Sequence, residues 1–408
     1  MQYKTRWLEK RVAEALKSHP VVILIGPRQV GKSTLLENAG FLKGWRYLTL
    51  DDPDALEQAR EDPKGLLWED RPTIIDEVQR CPELLLTVKY LVDKSHRQRH
   101  FILSGSGNIS LRQAPRETLA GRAQYLHLTG FGFRELRGLD SGGVLAGILQ
   151  GKKVEPREVQ NGDDDMIGAI WRGGLPGIVL GASEKTAVER MSSYIDTYLQ
   201  RDIQDLVKVR HPQHFRRLME ALAQATGWES VQDELSKICG ETRTNVSRYM
   251  SLLKDTCLLY ELKGYFTKGE RAYKQAKYFW FDSGAACFLA GIHSAKELRK
   301  PNTKGRYLEN FVFQQILSWS SLQMISPEMF YWKLKAQDAP EIDFVVRSHD
   351  RVIGIEVKSS DNLTFGNTRS MRDFLKAHAE ALGGIIVYGG RKIYPLATNI
   401  YAVPWTVF

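Results

Sequence analysis

Residues 21–25 form an unbroken apolar run rich in β-branched side chains, the pattern of a strand buried on both faces of a parallel sheet. A glycine-bearing loop follows, then a helical run over 33–38. Runs at 45–50, 73–75 and 101–103 share that strand character and end in Asp51-Asp52, Asp76-Glu77 and Ser104-Gly105-Ser106-Gly107-Asn108. The set predicts an α/β domain with a parallel sheet.

Between 141 and 165, Gly, Lys and acidic residues break the periodicity, which places a first domain boundary there. From 186 to 209 the spacing of Val188, Met191, Ile195, Tyr198, Leu199, Ile203 and Leu206 is helical. Residues 233–238 predict a short amphipathic helix, Gly240 a turn, and 244–254 a second helix with Val246, Tyr249 and Leu253 inward. Two helices joined in this way make a helix-turn-helix unit, and 258–262 with the basic, aromatic stretch 265–278 is a candidate wing. A helix over 308–318, strands over 331–335, 341–346 and 351–358, a helix over 371–382 and a strand over 384–388 complete the chain.

Length adds that 408 residues exceed what one core usually organises. A net charge of +9 suits a polyanion, nucleic acid being the commonest, or a diffuse basic surface. Four cysteines without C-x-x-C spacing indicate neither a zinc site nor a disulfide framework, which fits a reducing cytoplasm. The N-terminus lacks the apolar core of a secretory signal, and the apolar runs are too short to cross a bilayer. The expectation is a cytoplasmic protein that is neither exported nor membrane-spanning.

The loop after the first strand reads Gly26-Pro27-Arg28-Gln29-Val30-Gly31-Lys32-Ser33-Thr34. Glycines at both ends let backbone N–H groups wrap a phosphate, Lys32 would reach the outer phosphates, and the Ser33 hydroxyl would ligate magnesium. Thr34 reads as a helix residue. Asp76 at a strand end can hold magnesium through water, and Glu77 can polarise the attacking water. Ser104, with Asn108 second, is the candidate contact to the γ phosphate or the water. Arg28 and Arg122 are candidates for the extra cation that phosphoryl transfer needs, in cis or across a subunit interface.

In the middle region Arg243, Asn245 and Arg248 would meet DNA bases, with Lys268, Arg271 and Lys274 on phosphates; the alternative is a lid or protein-contact module. At the C-terminal end, Glu356 and Lys358 share one strand face and Asp343 reaches it from the adjacent strand. Two carboxylates beside a lysine can hold a hard divalent cation and orient a hydroxide towards a phosphodiester. This spacing resembles the PD-(D/E)-x-K, restriction-endonuclease-like superfamily, and Glu309 matches the extra acid on the preceding helix.

The loop, Ile74-Ile75-Asp76-Glu77-Val78-Gln79, Leu119-Ala120-Gly121-Arg122 and Phe131-Gly132-Phe133-Arg134-Glu135-Leu136 together resemble a group of prokaryotic AAA-family ATPases with a conserved C-terminal region of unknown function. The likeness continues through Gly173-Gly174-Leu175-Pro176, Tyr198-Leu199-Gln200-Arg201-Asp202-Ile203, Glu341-Ile342-Asp343-Phe344 and Ile355-Glu356-Val357-Lys358. Gly132-Phe133 departs from the Leu-Ser-Phe that members often show.

The resemblance implies ATP binding and hydrolysis. The expected architecture is α/β in three modules: a P-loop ATPase domain over 1–160, a helical connector with a winged-helix candidate over 161–280, and a restriction-endonuclease-like domain over 281–408. The expected cofactors are ATP and Mg2+, with Mg2+ or Mn2+ at Glu309, Asp343 and Glu356; the expected partner is DNA, and a homo-oligomer or protein partner stays open. The favoured function is an ATPase controlling a DNA-directed, nuclease-like module. Its rivals are an ATP-dependent switch and a DNA-binding regulator that cut nothing.

Overall fold

The computed structural model describes residues 3–106, 118–159, 165–181, 183–197, 211–229, 232–266, 275–300, 303–335 and 339–408. The chain divides into two compact units, 1–131 with 252–258, and 132–251 with 259–408.

The first unit is built on a sheet of β1 (Val21–Gly26), β2 (Arg46–Thr49), β3 (Thr73–Asp76), β4 (Phe101–Ser106) and β5 (Ala123–His127), in the order β2-β3-β4-β1-β5. All neighbours run parallel. Every residue of β1 is buried, and strands flank it on both edges. Val21, Ile23 and Ile25 share a core with Ile75, Phe101 and Leu103. Parallel alignment brings Gly26, Asp76 and Ser104 towards one end of the sheet, where the loop lies.

The second unit carries a nine-stranded sheet. Its strands are β6 (Arg157–Glu158), β7 (Leu259–Gly264), β8 (Lys277–Trp280), β9 (Glu328–Lys333), β10 (Glu341–Ser348), β11 (Arg351–Val357), β12 (Ala381–Tyr388), β13 (Lys392–Ala397) and β14 (Ile400–Pro404). The order is β6-β13-β14-β12-β11-β10-β9-β7-β8. Strands β9, β10 and β11 form an antiparallel meander, and β12 lies parallel to β11 across the helix Arg369–Ala377. With the helix Lys304–Ser320 in front, the element order is αβββαβ. A Cβ on Gly384 would lie 2.3 Å from the Met371 sulfur, so glycine there lets the helix Arg369–Ala377 pack flat on the sheet.

The structure departs from expectation at the wing and in the stretch 141–165, and some expected residues lie outside the described ones. The helices Gln232–Cys239 and Arg243–Asp255 form around Gly240 at φ 72°, yet the strands after them are no free wing. β7 pairs with β8 and, at Lys263 and Gly264, with β9, so both belong to the large sheet, and the boundary expected at 280 falls just after β8. Lys268, Arg271 and Lys274 lie outside the described residues, as does Asn108. The stretch 141–165 holds the helix Gly143–Leu149, which buries Val144, Leu145, Ile148 and Leu149; its flanking glycines masked a short apolar face. The helix expected over 186–209 is described as Glu184–Thr197, with 198–210 outside the described residues. Among the described residues, no helix is long and apolar enough to cross a membrane.

Candidate functional site

In the first unit the loop after β1 is shaped by backbone constraints. A Cβ on Gly26 would sit 2.1 Å from the Leu128 carbonyl oxygen, so any side chain there would force β1 off its neighbour. Gln29 at φ 60° and Gly31 at φ 96° turn the chain into the helix Lys32–Asn38. Arg6 braces the loop from outside, donating to the carbonyls of Val30 and Thr129, each at 2.8 Å, with its guanidinium over the Phe131 ring.

The Lys32 side chain is 6 % exposed and folds into the loop. Its ammonium donates to the carbonyls of Gly26 at 3.1 Å and Pro27 at 2.8 Å. Burial lowers its pKa, and Glu77 and Asp76 oppose that. Ser33 is half-buried in the first turn, and Thr34 and Gln29 are exposed.

Asp76 closes β3 and is almost wholly buried. Its carboxylate accepts from the Tyr47 hydroxyl at 2.6 Å, from the Glu77 amide at 3.0 Å, and from the Ser104 hydroxyl. Burial and the bond to Asp76 raise the Tyr47 pKa, and the Ser33 hydroxyl bonds the same phenol. Tyr47 thus joins the helix start to Asp76, a role that emerges only once β2 is known to neighbour β3. Glu77 follows at φ 55° and accepts from the Gln79 side chain.

Arg28 is half-buried within the loop, and its charge acts on Lys32. Arg122 is elsewhere. It precedes β5, its carbonyl accepts from the Val21 amide, and its side chain binds both oxygens of Asp93, at 2.6 and 2.9 Å. That is the opposite end of β1 from the loop, five strand residues or roughly 16 Å away. Arg122 therefore cannot serve as the extra cation for its own chain's loop: the strand direction that brings Asp76 and Ser104 near carries Arg122 away.

The second cluster lies in the second unit. Asp343 sits where β10 slips register against β9, a bulge that re-aims side chains, and it accepts from the Val357 amide at 2.7 Å. Glu356 and Lys358 pair at 2.6 Å. Glu356 is 4 % exposed, and its Oε2 atom is buried without a hydrogen bond. Glu309 faces the bend at Gly227, where an added Cβ would lie 2.9 Å from its Oε2. Burial and Asp343 push the Glu309 pKa well above the usual carboxylate range.

Lys277, which no motif singled out, also lies here. It pairs with Glu341, and Asp343 and Glu309 are its next acidic neighbours. Lys333 pairs with Glu341 at 3.1 Å and with Glu229 at 2.7 Å. Among the described residues, no group of three His, Cys, Asp or Glu side chains is arranged to hold a metal ion. The expected set Glu309, Asp343 and Glu356 is near but spread around ammonium groups.

In the helix-turn-helix segment Arg243 pairs with Asp233, and Asn245 donates to Glu241 at 2.7 Å. Arg248 is exposed.

Comparison with known proteins bears on both units. Residues 18–137 match the model of an AAA domain. Residues 163–296 and 304–408 match two domains of unknown function, DUF8612 and DUF4143. The uncharacterized proteins Rv2008c of Mycobacterium tuberculosis and Mb2031c of Mycobacterium bovis are each 30% identical over 406 residues, covering 97% of this chain and 82% of theirs. Among solved structures, the Walker-type ATPase paby2304 of Pyrococcus abyssi aligns over 71% of this chain and 98% of its own, at 17% identity and a TM-score of 0.45. The RuvB Holliday junction branch migration motor of Thermotoga maritima aligns over 62% and 88%, at 19% identity and a TM-score of 0.30. The chain belongs to the family of these mycobacterial proteins, and its AAA domain makes it a P-loop ATPase of the AAA type.

Proposed function

We propose that Lys32, Ser33, Asp76 and Glu77 bind and hydrolyse Mg-ATP, and that turnover controls a DNA-directed module in the second unit. The observation that carries the first half is the buried Lys32 ammonium, held on loop carbonyls one strand away from the Asp76 network. Carbonyls are weaker partners than phosphate oxygens, so a triphosphate in the loop would draw the ammonium outward. Ser33 and Asp76 would hold the magnesium ion, which supplies charge neutralisation on the phosphates. Glu77 orients a water for attack on the γ phosphorus; the bond to the bridging oxygen breaks, leaving ADP and phosphate. Ser104, bonded to Asp76, keeps that carboxylate aimed.

The DNA-directed half is supported by the +9 net charge, the αβββαβ order, and the Asp343, Glu356 and Lys358 set on neighbouring strands. Trp228 adds to this: it is 55 % exposed, with the Arg306 guanidinium 3.9 Å over its ring, an arrangement suited to stacking a base. The rival reading, a switch that cuts nothing, is favoured by Lys277 within the acidic cluster.

The test has two arms on the full chain. Glu77→Gln is expected to keep ATP bound while phosphate release falls about 100-fold or more; turnover like the wild type's would refute the assigned role. Supercoiled plasmid with Mn2+ is the second arm. Nicking that disappears in Asp343→Ala supports a nuclease, and intact plasmid throughout supports the switch. Arg122→Ala is expected to leave ATP turnover within about twofold of wild type, because its bond to Asp93 is a surface ion pair. A collapse of turnover in that variant, measured across protein concentration, would instead place Arg122 at a neighbouring subunit's nucleotide.

A further inference from the structure

We infer that the Lys277 ammonium is the resident cation of the acidic cluster in the second unit, so that a divalent metal binds tightly there only when that charge is removed. The inference rests on the nuclease-like reading of Asp343, Glu356 and Glu309 given above.

Lys277 opens β8, where Glu261 to Leu262 of β7 run alongside and an isolated bridge to Glu229 pins its backbone on the other side. Its side chain is 4 % exposed. The stem runs beside Tyr331, whose ring centre is 5.2 Å from the ammonium. The ammonium pairs with Glu341, and its other acidic neighbours are Asp343 and Glu309. A desolvated ammonium is stable only against carboxylates; of its partners Glu341 is 29 % exposed, and Asp343 and Glu309 are half-buried.

A divalent cation in this cluster would seek the same oxygens. It would have to share them with a fixed positive charge or displace a buried side chain from its carboxylate partner. Either route weakens binding strongly, since like charges a few ångströms apart repel most where water is excluded. Asp343 and Glu309 gather with Glu341 about this ammonium, whereas Glu356 is paired with Lys358.

The experiment is a Mn2+ titration of the nucleotide-free full chain, reading free Mn2+ by electron paramagnetic resonance. Wild type, Lys277→Met and Lys277→Arg are each measured with and without Asp343→Asn, and thermal unfolding confirms that each variant is folded. Weak uptake is expected in wild type and Lys277→Arg. Lys277→Met should bind one ion about tenfold tighter or more, and Asp343→Asn should abolish that ion. If wild type binds an Asp343-dependent ion as tightly as Lys277→Met does, the role of Lys277 is overturned while the metal reading stands. If Lys277→Met shows no Asp343-dependent ion, both fall. Lys277→Arg keeps the charge, so tight binding there as well would also overturn the inference, tracing the effect to packing.

Discussion

Replacing Lys32 with alanine is expected to lower ATP turnover about 1,000-fold, the loss typical when a preorganised cation is removed from a developing phosphoryl charge. The same change has a second signature in the absence of nucleotide. Lys32 bonds the carbonyls of Gly26 and Pro27, so the variant removes two buried hydrogen bonds. The nucleotide-free variant should therefore unfold at a lower temperature than wild type. Saturating ATP, which stabilises a binding protein by about 2.7 kcal/mol at 100 times its Kd, should raise the wild-type midpoint and leave the variant's where it was. Phosphate release and thermal unfolding with and without Mg-ATP check both halves. A variant that hydrolyses ATP within a few-fold of wild type would mean that the loop is not where the chemistry happens.

The second large effect is on stability, at Asp282. This carboxylate has no solvent exposure and caps the helix Ser283–Leu289, accepting from the amides of Ala285 at 2.9 Å and Gly174 at 2.6 Å. The amides of Gly284 and Leu175 also point at it. Gly173, at φ 66°, makes the wrap possible: a Cβ there would lie 2.2 Å from Asp282 Oδ1. The segment Gly173-Gly174-Leu175-Pro176 is thus a backbone cradle for one buried acid. Asp282→Ala would orphan those amides together, at a cost of about 3–5 kcal/mol.

The pH dependence has a definite sign. Burial pushes the Asp282 carboxyl up to about 6, against the pull of its amide donors. Between the unfolded value near 3.8 and about 6, the folded state holds more protons, so this group's contribution is full below that window and declines as pH rises through it. Urea unfolding should find Asp282→Ala more costly at pH 5 than at pH 7.5, by on the order of 1 kcal/mol. An equal cost at both values would show that the carboxyl titrates normally.

What the chain reveals by pattern, and what it hides, follows from how far apart the interacting residues lie. Strand β1 is legible because burial on both faces demands an unbroken apolar run, and the turn after it is legible because Gly31 answers a local backbone need, whereas Gly26 answers the distant Leu128 carbonyl. Arg122 misleads: closeness in sequence to a strand says nothing of which end of the sheet it occupies, and the parallel register sets it beside Val21. Tyr47 depends on strand order, and Asp282 on amides more than 100 positions upstream. Lys277 is the extreme case. In a basic stretch it reads as a solvated charge, and only acids from β10 and the helix Lys304–Ser320 explain its burial.

Residues 252–258 count with the first unit although the helix before them and β7 after them belong largely to the second. Within that piece Cys257, at φ 61°, is close enough to Lys32 to act on its charge. An expression clone ending at residue 131 would accordingly omit a segment that belongs to the first unit, however complete its family match appears. Dissection of this protein calls for restoring the missing heptapeptide in trans or by fusion.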